Sequence, residues 1–273
     1  PDIVEPQRRL YLHMLILVSP SKTFDFDTPS NTRKSTQPVF LEDTKQLVDE
    51  LRKLPATQIC ELMNVSTKLG EQTYERFQRW RLPFTKDNAK QAALAFKGDL
   101  YNGLKAENFS AGELDYAQKN LRILSGLHGV LRPLDLIQPY RLEIGTGLIN
   151  QRGKNLYGFW SDLITEELNR TLESLRTDIV VNLASNEYFR AVKSKQLQAT
   201  VVSPVFKDLK NGQYKTISFY AKKVRGQMAG WIVRNRISEP EQLEKFRLAG
   251  YQYSADSTRP HTPTFTRDVV PTS

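Results

Sequence analysis

The most regular feature of the chain is a set of short apolar runs that lie towards its two ends. They are rich in Val, Ile, Phe and Tyr, the composition of strands that are buried or half-buried in a sheet. The runs cover residues 14–18, 179–183, 200–206 and 216–221. The sequence therefore predicts four strands, with the first separated from the others by a long intervening segment.

The intervening segment carries apolar residues at helical spacing, as in Leu47, Leu51 and Leu54. This spacing is typical of amphipathic helices that bury one face. Further helices are predicted at residues 159–175 and 226–237. Strands at both ends with helices between them predict a mixed α/β (α+β) fold in a single compact domain. Its central sheet would be completed by the C-terminal half, and its helical region would be a large insertion.

Two segments are expected to lie outside this domain. We expect residues 1–13 to form a disordered N-terminal extension and residues 14–253 to form the domain itself. Residues 254–273 are rich in Ser, Thr and Pro, which is typical of turns. This last segment is expected to be a tail with at most an edge hairpin around Thr264–Arg267.

The charge of the chain points towards an anionic partner. Lys and Arg number 39 against 30 Asp and Glu, so the formal net charge is +9 at pH 7 and the pI is about 9.5. A pI this high is typical of nucleic-acid-binding domains, but excess lysine also keeps ordinary proteins soluble. The positions of the cations must decide between these two interpretations.

Metal, disulfide and membrane chemistry are not indicated. One cysteine, Cys60, and three histidines without a neighbour at ligand spacing predict no metal site and no intrachain disulfide. No apolar run approaches the roughly 20 residues that span a bilayer. Residues 10–18 are apolar but lack the cleavage pattern of a signal peptide. We therefore expect a cytoplasmic protein.

The most informative local pattern covers residues 121–137, where an apolar segment meets a Gly-Leu-His-Gly turn and a second apolar segment follows at once. Glycines allow the backbone conformations of tight turns, and free N–H groups at the start of a helix bind anions. The pattern predicts a helix-hairpin-helix element that contacts DNA phosphates; a turn between two core helices is the alternative. The residues assigned to the contact are Ser125, Gly126, His128, Gly129 and Arg132.

Further charged and polar residues lie at the ends of predicted strands or in glycine-rich turns. The carboxyl ends of strands are where ligands bind in α/β sheets. Each residue also fits a solvated loop or a local salt bridge, such as Arg141 with Glu143. Together they predict a shared polar, basic cleft. The residues are Lys22, Lys97, Asp99, Arg141, Asn186, Glu187, Lys222, Lys223 and Arg225.

Six of these segments match one known family in order. They are MLILVSPSKT (14–23), AFKGD (95–99), LSGLHGVLRPLD (124–135), QPYRLE (138–143), NLAS (182–185) and SFYAKK (218–223). The chain resembles the YaaA family of peroxide stress proteins from residue 14 to about residue 253. The resemblance implies a single α/β fold with a positively charged cleft and a helix-hairpin-helix element. It also implies protection of bacteria against hydrogen peroxide, links to DNA repair and intracellular iron, and cofactor-free binding of duplex or branched DNA.

Two functions stay open at this point. The first is a DNA-binding protein, with a monomer favoured, whose cations contact phosphates with little regard for base identity. The second is an enzyme that acts on a nucleotide or nucleic acid, with a polar pocket around the reacting group. No nucleophile–base pair identifies catalytic residues, so the enzyme ranks second. Its candidate catalytic residues are Lys22, Lys97, Asp99 and Glu187.

Overall fold

In a computed structural model, which describes residues 13–269, the apolar runs at 14–18 and 179–183 form neighbouring parallel strands of a sheet. The strands are β1 (Leu15–Val18), β2 (Thr23–Phe24), β3 (Lys90–Gln91), β4 (Phe96–Lys97), β5 (Leu121–Ser125), β6 (Gly129–Leu131), β7 (Leu136–Ile137), β8 (Ile179–Asn182), β9 (Thr200–Val202), β10 (Val205–Lys210), β11 (Gln213–Lys215), β12 (Gln252–Tyr253) and β13 (Thr264–Arg267). The helices are α1 (Leu41–Arg52), α2 (Ala56–Met63), α3 (Thr67–Arg79), α4 (Ala92–Ala95), α5 (Asp99–Leu104), α6 (Ala111–Asn120), α7 (Leu156–Trp160), α8 (Leu163–Leu175), α9 (Asn186–Phe189) and α10 (Ser218–Asn235). The mixed α/β, single-domain prediction is confirmed.

The main sheet has the strand order β6-β5-β1-β8-β9. Strand β1 pairs in parallel with both β5 and β8, while β6 returns antiparallel to β5. Every residue of β1 is buried, as expected for a parallel strand covered on both faces. The carboxyl ends of β1, β5 and β8 therefore meet at one edge of the sheet, here called the carboxyl edge. Their first residues meet at the opposite edge, the amino edge.

The chain also builds a second sheet that the sequence pattern does not predict, in the order β11-β10-β13-β12. The predicted strand at residues 200–206 divides between the two sheets, with β9 in the first and β10 in the second. Pro204 lies at the division and has no N–H to donate to a ladder. Strand β13, where the sequence predicts at most an edge hairpin, lies between β10 and β12. Its parallel pairing with β10 is visible only in three dimensions.

The strand predicted at residues 216–221 is wrong, because residues 218–221 form the first turn of the long helix α10. Helix α10 crosses α5 at close range through glycines. A Cβ atom on Gly226 would overlap the carbonyl of Leu100, and one on Gly103 would overlap the carbonyl of Lys223. This packing outweighs the β-propensity of the β-branched and aromatic residues at the start of the helix. It also places the first residue of α5 close to the first turns of α10.

The expectation for residues 1–13 falls almost wholly outside the described residues, as does the end of the tail beyond residue 269. Within the described part of the chain, none of the helices combines the length and the apolar character needed to cross a bilayer.

Candidate functional site

The segment predicted to be a helix-hairpin-helix element is a β-hairpin. Helix α6 ends at Asn120, β5 follows at once, and β6 pairs antiparallel with β5 after a three-residue turn. All residues from 121 to 131 are buried. A strand covered on both faces has a continuous apolar pattern that periodicity alone does not distinguish from a buried helix. The helix-hairpin-helix prediction is therefore wrong at these residues.

The polar side chains of this turn are occupied inside the protein. Ser125 Oγ lies 2.8 Å from the Tyr140 hydroxyl and accepts the His128 backbone N–H at 3.0 Å. The His128 ring is fully buried, with Nδ1 3.1 Å from Thr44 Oγ1. Burial lowers the pKa of His128 to about 3, so the ring is neutral at pH 7. Neither side chain is available to a DNA phosphate.

The two glycines of the turn are covered as well. The Trp160 indole N–H donates to the carbonyl of Gly126 at 2.9 Å. Gly129 has a positive φ of 65°, and a Cβ at this position would come within 2.9 Å of the Trp160 ring. The glycines thus allow close packing inside the core. Their assignment to the DNA contact is corrected for the same reason as that of Ser125 and His128.

A pair of helices joined by a tight turn does occur earlier in the chain, at α2 and α3. Asn64 ends α2 in the left-handed conformation, and Ser66 precedes the first residue of α3. The helices pack closely enough that a Cβ on Gly70 would overlap the Sγ of Cys60. The turn contains no glycine, so a search for glycine-rich hairpins misses it. The signals that identify it are Asn64, which tolerates the left-handed region, and the Ser66 cap position.

A cleft of about 360 Å³ opens at the carboxyl edge, beyond β1 and β8. Because the two strands are parallel neighbours, the loops that follow them meet, and the Ser185 N–H donates to Ser19 Oγ at 2.9 Å. The Tyr101 hydroxyl of α5 donates to the Ser19 carbonyl at 3.1 Å. Burial raises the pKa of Tyr101 well above its ordinary value, so its phenol stays protonated. These bonds hold the floor of the cleft in place.

Charged side chains from distant parts of the chain line this carboxyl-edge cleft in equal numbers, three cations and three carboxylates. They are Lys22, Lys222, Arg225, Asp99, Glu143 and Glu187. The sequence predicts five of these six as site residues and mentions the sixth, Glu143, only as a salt-bridge partner. The structure therefore brings most of the predicted polar residues together, around a cleft whose formal charge is balanced.

Two of the predicted cations share one carboxylate. Lys22 Nζ lies 2.7 Å from Glu143 Oε1, and the Arg141 guanidinium lies 3.6 Å from the same oxygen. The Lys22 side chain is 56% exposed, so its ion pair is weakened by solvent. Arg141 is mostly buried, and its Nε has no hydrogen-bond partner. The alternative considered for Arg141, a local salt bridge with Glu143, is present.

Lys97 lies beside the cleft and is also paired. Its Nζ is 3.2 Å from the Asp25 carboxylate, which also accepts the Thr28 backbone N–H at 2.8 Å. These hydrogen bonds, the Thr28 bond first, hold the pKa of Asp25 well below its usual range. Part of the Lys97 charge is therefore neutralised before any ligand arrives.

The cations of α10 are the least compensated at this edge. Lys222 and Lys223 are exposed and form no salt bridge with another described residue, but only Lys222 lines the cleft. Arg225 donates to the Ala184 carbonyl at 3.3 Å, and its buried Nε has no partner. Burial lowers the pKa of Arg225. Unpaired positive charge at the carboxyl edge is concentrated on one helix.

Arg132, a predicted member of the DNA-binding set, is not at this edge. Because β6 runs antiparallel to β5, the chain returns to the amino edge before it reaches Arg132. There the Arg132 Nε and a terminal nitrogen donate to Asp135 Oδ1 at 3.1 and 2.9 Å. The predicted cations are thus divided between opposite edges of the main sheet. Among residues 13–269, no group of three or more His, Cys, Asp or Glu side chains is placed to hold a metal ion.

Comparison with known proteins agrees with the six matched segments. Residues 14–257 match the family model described as peroxide stress protein YaaA. A UPF0246 protein of Cellvibrio japonicus is 55% identical over 255 residues, which cover 93% of this chain and 99% of the relative. UPF0246 proteins of Teredinibacter turnerae and Colwellia psychrerythraea are 53% and 52% identical, each over 254 residues with the same coverage. The chain therefore belongs to the peroxide stress protein YaaA family.

Proposed function

We propose that this protein protects the cell during peroxide stress by binding duplex or branched DNA through the phosphate backbone, largely independently of base sequence. The observation that carries the proposal is the convergence of cations from four separate segments at the carboxyl edge. The cations are Lys22, Lys97, Arg141, and the α10 group of Lys222, Lys223 and Arg225. A surface assembled from such distant segments needs the folded protein and is not a by-product of one lysine-rich stretch.

The strength of the contact depends on which cations lack an internal partner. Lys22, Lys97 and Arg141 already face Glu143 or Asp25, so a phosphate must compete with these carboxylates. Lys222 and Lys223 face no such competition. Each phosphate that they neutralise releases bound counterions, so affinity falls as salt rises. We therefore place the main contact on the first turns of α10.

The start of α3 supports a second phosphate contact in this proposal. No side chain caps the start of α3, and Thr67 and Lys68 are exposed there. Free N–H groups at a helix start attract phosphate oxygens. The helix-hairpin-helix role, predicted for residues 121–137, is assigned in this proposal to α2 and α3.

Family membership supports the peroxide part of the proposal. Coverage of the DNA backbone would shield DNA from iron-driven oxidation and would bring the protein to sites of repair. The links to DNA repair and intracellular iron, and a cytoplasmic location, belong to the same proposal.

Charge reversal on α10 tests the DNA contact. In the variant Lys222→Glu/Lys223→Glu, we expect duplex affinity at low salt to fall at least about tenfold and the salt slope to flatten by about two, one for each lost phosphate contact. The measurement is fluorescence anisotropy with a labelled duplex, a four-way junction and a single strand at several salt concentrations.

The matched control is Lys195→Glu/Lys245→Glu, which lowers the net charge by the same amount at exposed positions that do not line the cleft. If both double variants lose the same affinity, only net charge matters and the assigned surface is incorrect. If neither loses affinity, the DNA proposal fails.

The enzyme alternative is favoured by one specific observation. Lys22, Asp99, Glu187 and Lys222 all line the carboxyl-edge cleft, whose volume suits a small ligand better than a flat backbone contact. The test is incubation with nucleotides and oligonucleotides, followed by chromatography for products. Turnover by the wild type that Asp99→Asn or Glu187→Gln abolishes would establish this alternative, and absence of any product would remove it.

A further inference from the structure

The amino edge of the main sheet carries a cavity that the proposed DNA contact does not use. Its volume is about 790 Å³. It is bounded by the last turns of α6 and α8, the start of β5 and the residue that follows β6. Small-molecule sites commonly have volumes of about 300–1,000 Å³. This amino-edge cavity is therefore large enough for a ligand of nucleotide size.

The charge that lines the cavity is strongly one-sided. Among residues 13–269, five cations line it, Lys119, Arg122, Arg132, Arg170 and Arg176, against one carboxylate, Glu167. Glu167 is already paired with Arg170 at 3.1 Å. Lys119 and Arg176 form no salt bridge with another described residue. Like charges brought together without counter-ions repel one another, so the arrangement favours an added anion.

Local features offset only part of this charge. Asp135 compensates Arg132 from the interior at 2.9 Å. The carboxyl ends of α6 and α8 together contribute roughly one negative charge through their helix dipoles. An excess of about two positive charges remains after these corrections. Interaction with the helix dipoles therefore accounts for part of the positive charge around the cavity, but not for all of it.

Arg122 is the fixed element of the cavity. It is 7% exposed, and its NH1 donates to the carbonyls of Gln118, Lys119 and Leu121 at 2.9–3.2 Å. Its Nε is buried and has no hydrogen-bond partner. Burial, and then the charge of Arg132, lower the pKa of Arg122 to about 10, so the side chain is still charged at pH 7. Its NH2 donates to Thr171 Oγ1 at 3.4 Å, so the guanidinium is held as a fixed positive charge at the buried end of the cavity.

We propose that the amino-edge cavity binds a small molecule that carries several phosphate groups. Arginine forks bind phosphate oxygens through paired N–H donors. Arg170 and Arg176 stand at the exposed rim of the cavity, while Arg122 lies at its buried end, so successive phosphates can be contacted along the cavity. The inference goes beyond the DNA-binding proposal and uses none of the α10 cations.

The test uses the full chain and inorganic tripolyphosphate, titrated by isothermal calorimetry at low salt. We expect one site per chain in the wild type. Removing the two rim charges in Arg170→Gln/Arg176→Gln should weaken binding at least about tenfold, which corresponds to about 1.4 kcal/mol. The matched control, Lys195→Gln/Lys245→Gln, removes the same charge at exposed positions that line neither cavity and should change tripolyphosphate affinity by less than about twofold.

Folding is monitored by the thermal unfolding midpoint, and both rim residues are exposed, so the variant is expected to fold. A second variant, Arg122→Lys, keeps a positive charge but loses the guanidinium that the Gln118, Lys119 and Leu121 carbonyls hold in place, and a several-fold loss of affinity is expected. No heat from the wild type would overturn the inference, as would an equal loss in the Lys195→Gln/Lys245→Gln control. If the wild type does not bind tripolyphosphate but Arg170→Gln/Arg176→Gln loses duplex affinity, the inference is overturned and the amino-edge cavity belongs to a DNA-binding surface.

Discussion

The two edges of the main sheet carry sites of different character. At the carboxyl edge, three cations face three carboxylates around about 360 Å³. At the amino edge, five cations face one carboxylate around about 790 Å³. The first arrangement is suited to orienting groups of both signs, and the second to attracting an anion. The net charge of +9 is a property of the whole chain and does not reveal this division.

The difference in charge follows from which strand ends and helix ends meet at each edge. Loops after parallel strands gather at the carboxyl edge, and they bring hydroxyls, lysines and glutamates from several segments. The amino edge receives the carboxyl ends of α6 and α8, where cations are favoured by the helix dipole. One sheet therefore supplies two distinct electrostatic environments.

The largest expected effect comes from breaking the close contact between α5 and α10 beside the carboxyl-edge cleft. In Gly226→Ala, the new methyl group overlaps the Leu100 backbone, and helices α5 and α10 must separate. We expect a loss of about 3 kcal/mol or more in the free energy of unfolding, measured with urea. The control is Gly147→Ala, where a Cβ meets nothing within 4 Å and stability should change by less than about 0.5 kcal/mol. Equal stabilities would show that the glycine contact does not hold the cleft.

The second largest expected effect is a pH dependence of stability that arises from His128 in the β5–β6 hairpin. The pKa of buried His128 is about 3, against 6.5 in the unfolded chain. Between these values the unfolded state binds a proton that the folded state does not, so stability falls as pH falls from 6.5 towards 3. We expect a loss of about 2 kcal/mol between pH 7 and pH 5, measured as the free energy of unfolding.

The variant His128→Phe keeps a ring beside Phe84 and Tyr140 and should flatten this slope. Thr44 Oγ1 keeps the Leu127 carbonyl as its acceptor. If the dependence of the free energy of unfolding on pH is unchanged in the variant, groups other than His128 titrate in this range. The neutral His128 ring would then not be the cause of the pH dependence.

The smallest effect tests the charge balance of the carboxyl-edge cleft. Glu143→Gln releases Lys22 and Arg141 from their shared carboxylate. Because Lys22 is largely exposed, stability should change by less than about 1 kcal/mol. Duplex affinity should rise severalfold and its salt slope steepen by about one, read by anisotropy. Glu241→Gln, at an exposed position without a salt bridge, is the equal-charge control, and an identical gain there would remove any special role for Glu143.

The β5–β6 hairpin is where the sequence prediction and the structure differ most. The pattern around Gly126 and Gly129 correctly marks a turn between two apolar segments, but those segments are strands. Both faces of β5 are covered, so the alternation that identifies a half-buried strand is absent. A similar limit applies to residues 216–221, where β-prone residues begin α10 because the helix packs closely against α5.

The site residues also fall into two groups, those that the sequence pattern predicts and those that only the tertiary packing brings to the site. The polar residues after β1 and β8 come together as predicted, because parallel neighbouring strands end at one edge. Glu143 and Tyr101 enter the cleft through packing, which no local pattern reports. Arg132 leaves the predicted group because an antiparallel return carries it to the other edge. Arg170 in α8 and Arg176 just after it carry no local motif, and they join a cluster only when α6, α8 and β5 converge.

By itself, the sequence determined the family, the mixed α/β class, the positions of β1 and β8, and the polar residues that follow them. These properties depend on neighbours in the chain or on short ordered motifs, which are readable in one dimension. The tertiary structure alone decided which cations share a surface, which carboxylates neutralise them and which turn is buried. The physical reason is that burial and charge pairing depend on distances between residues remote in sequence, which strand direction and helix packing determine.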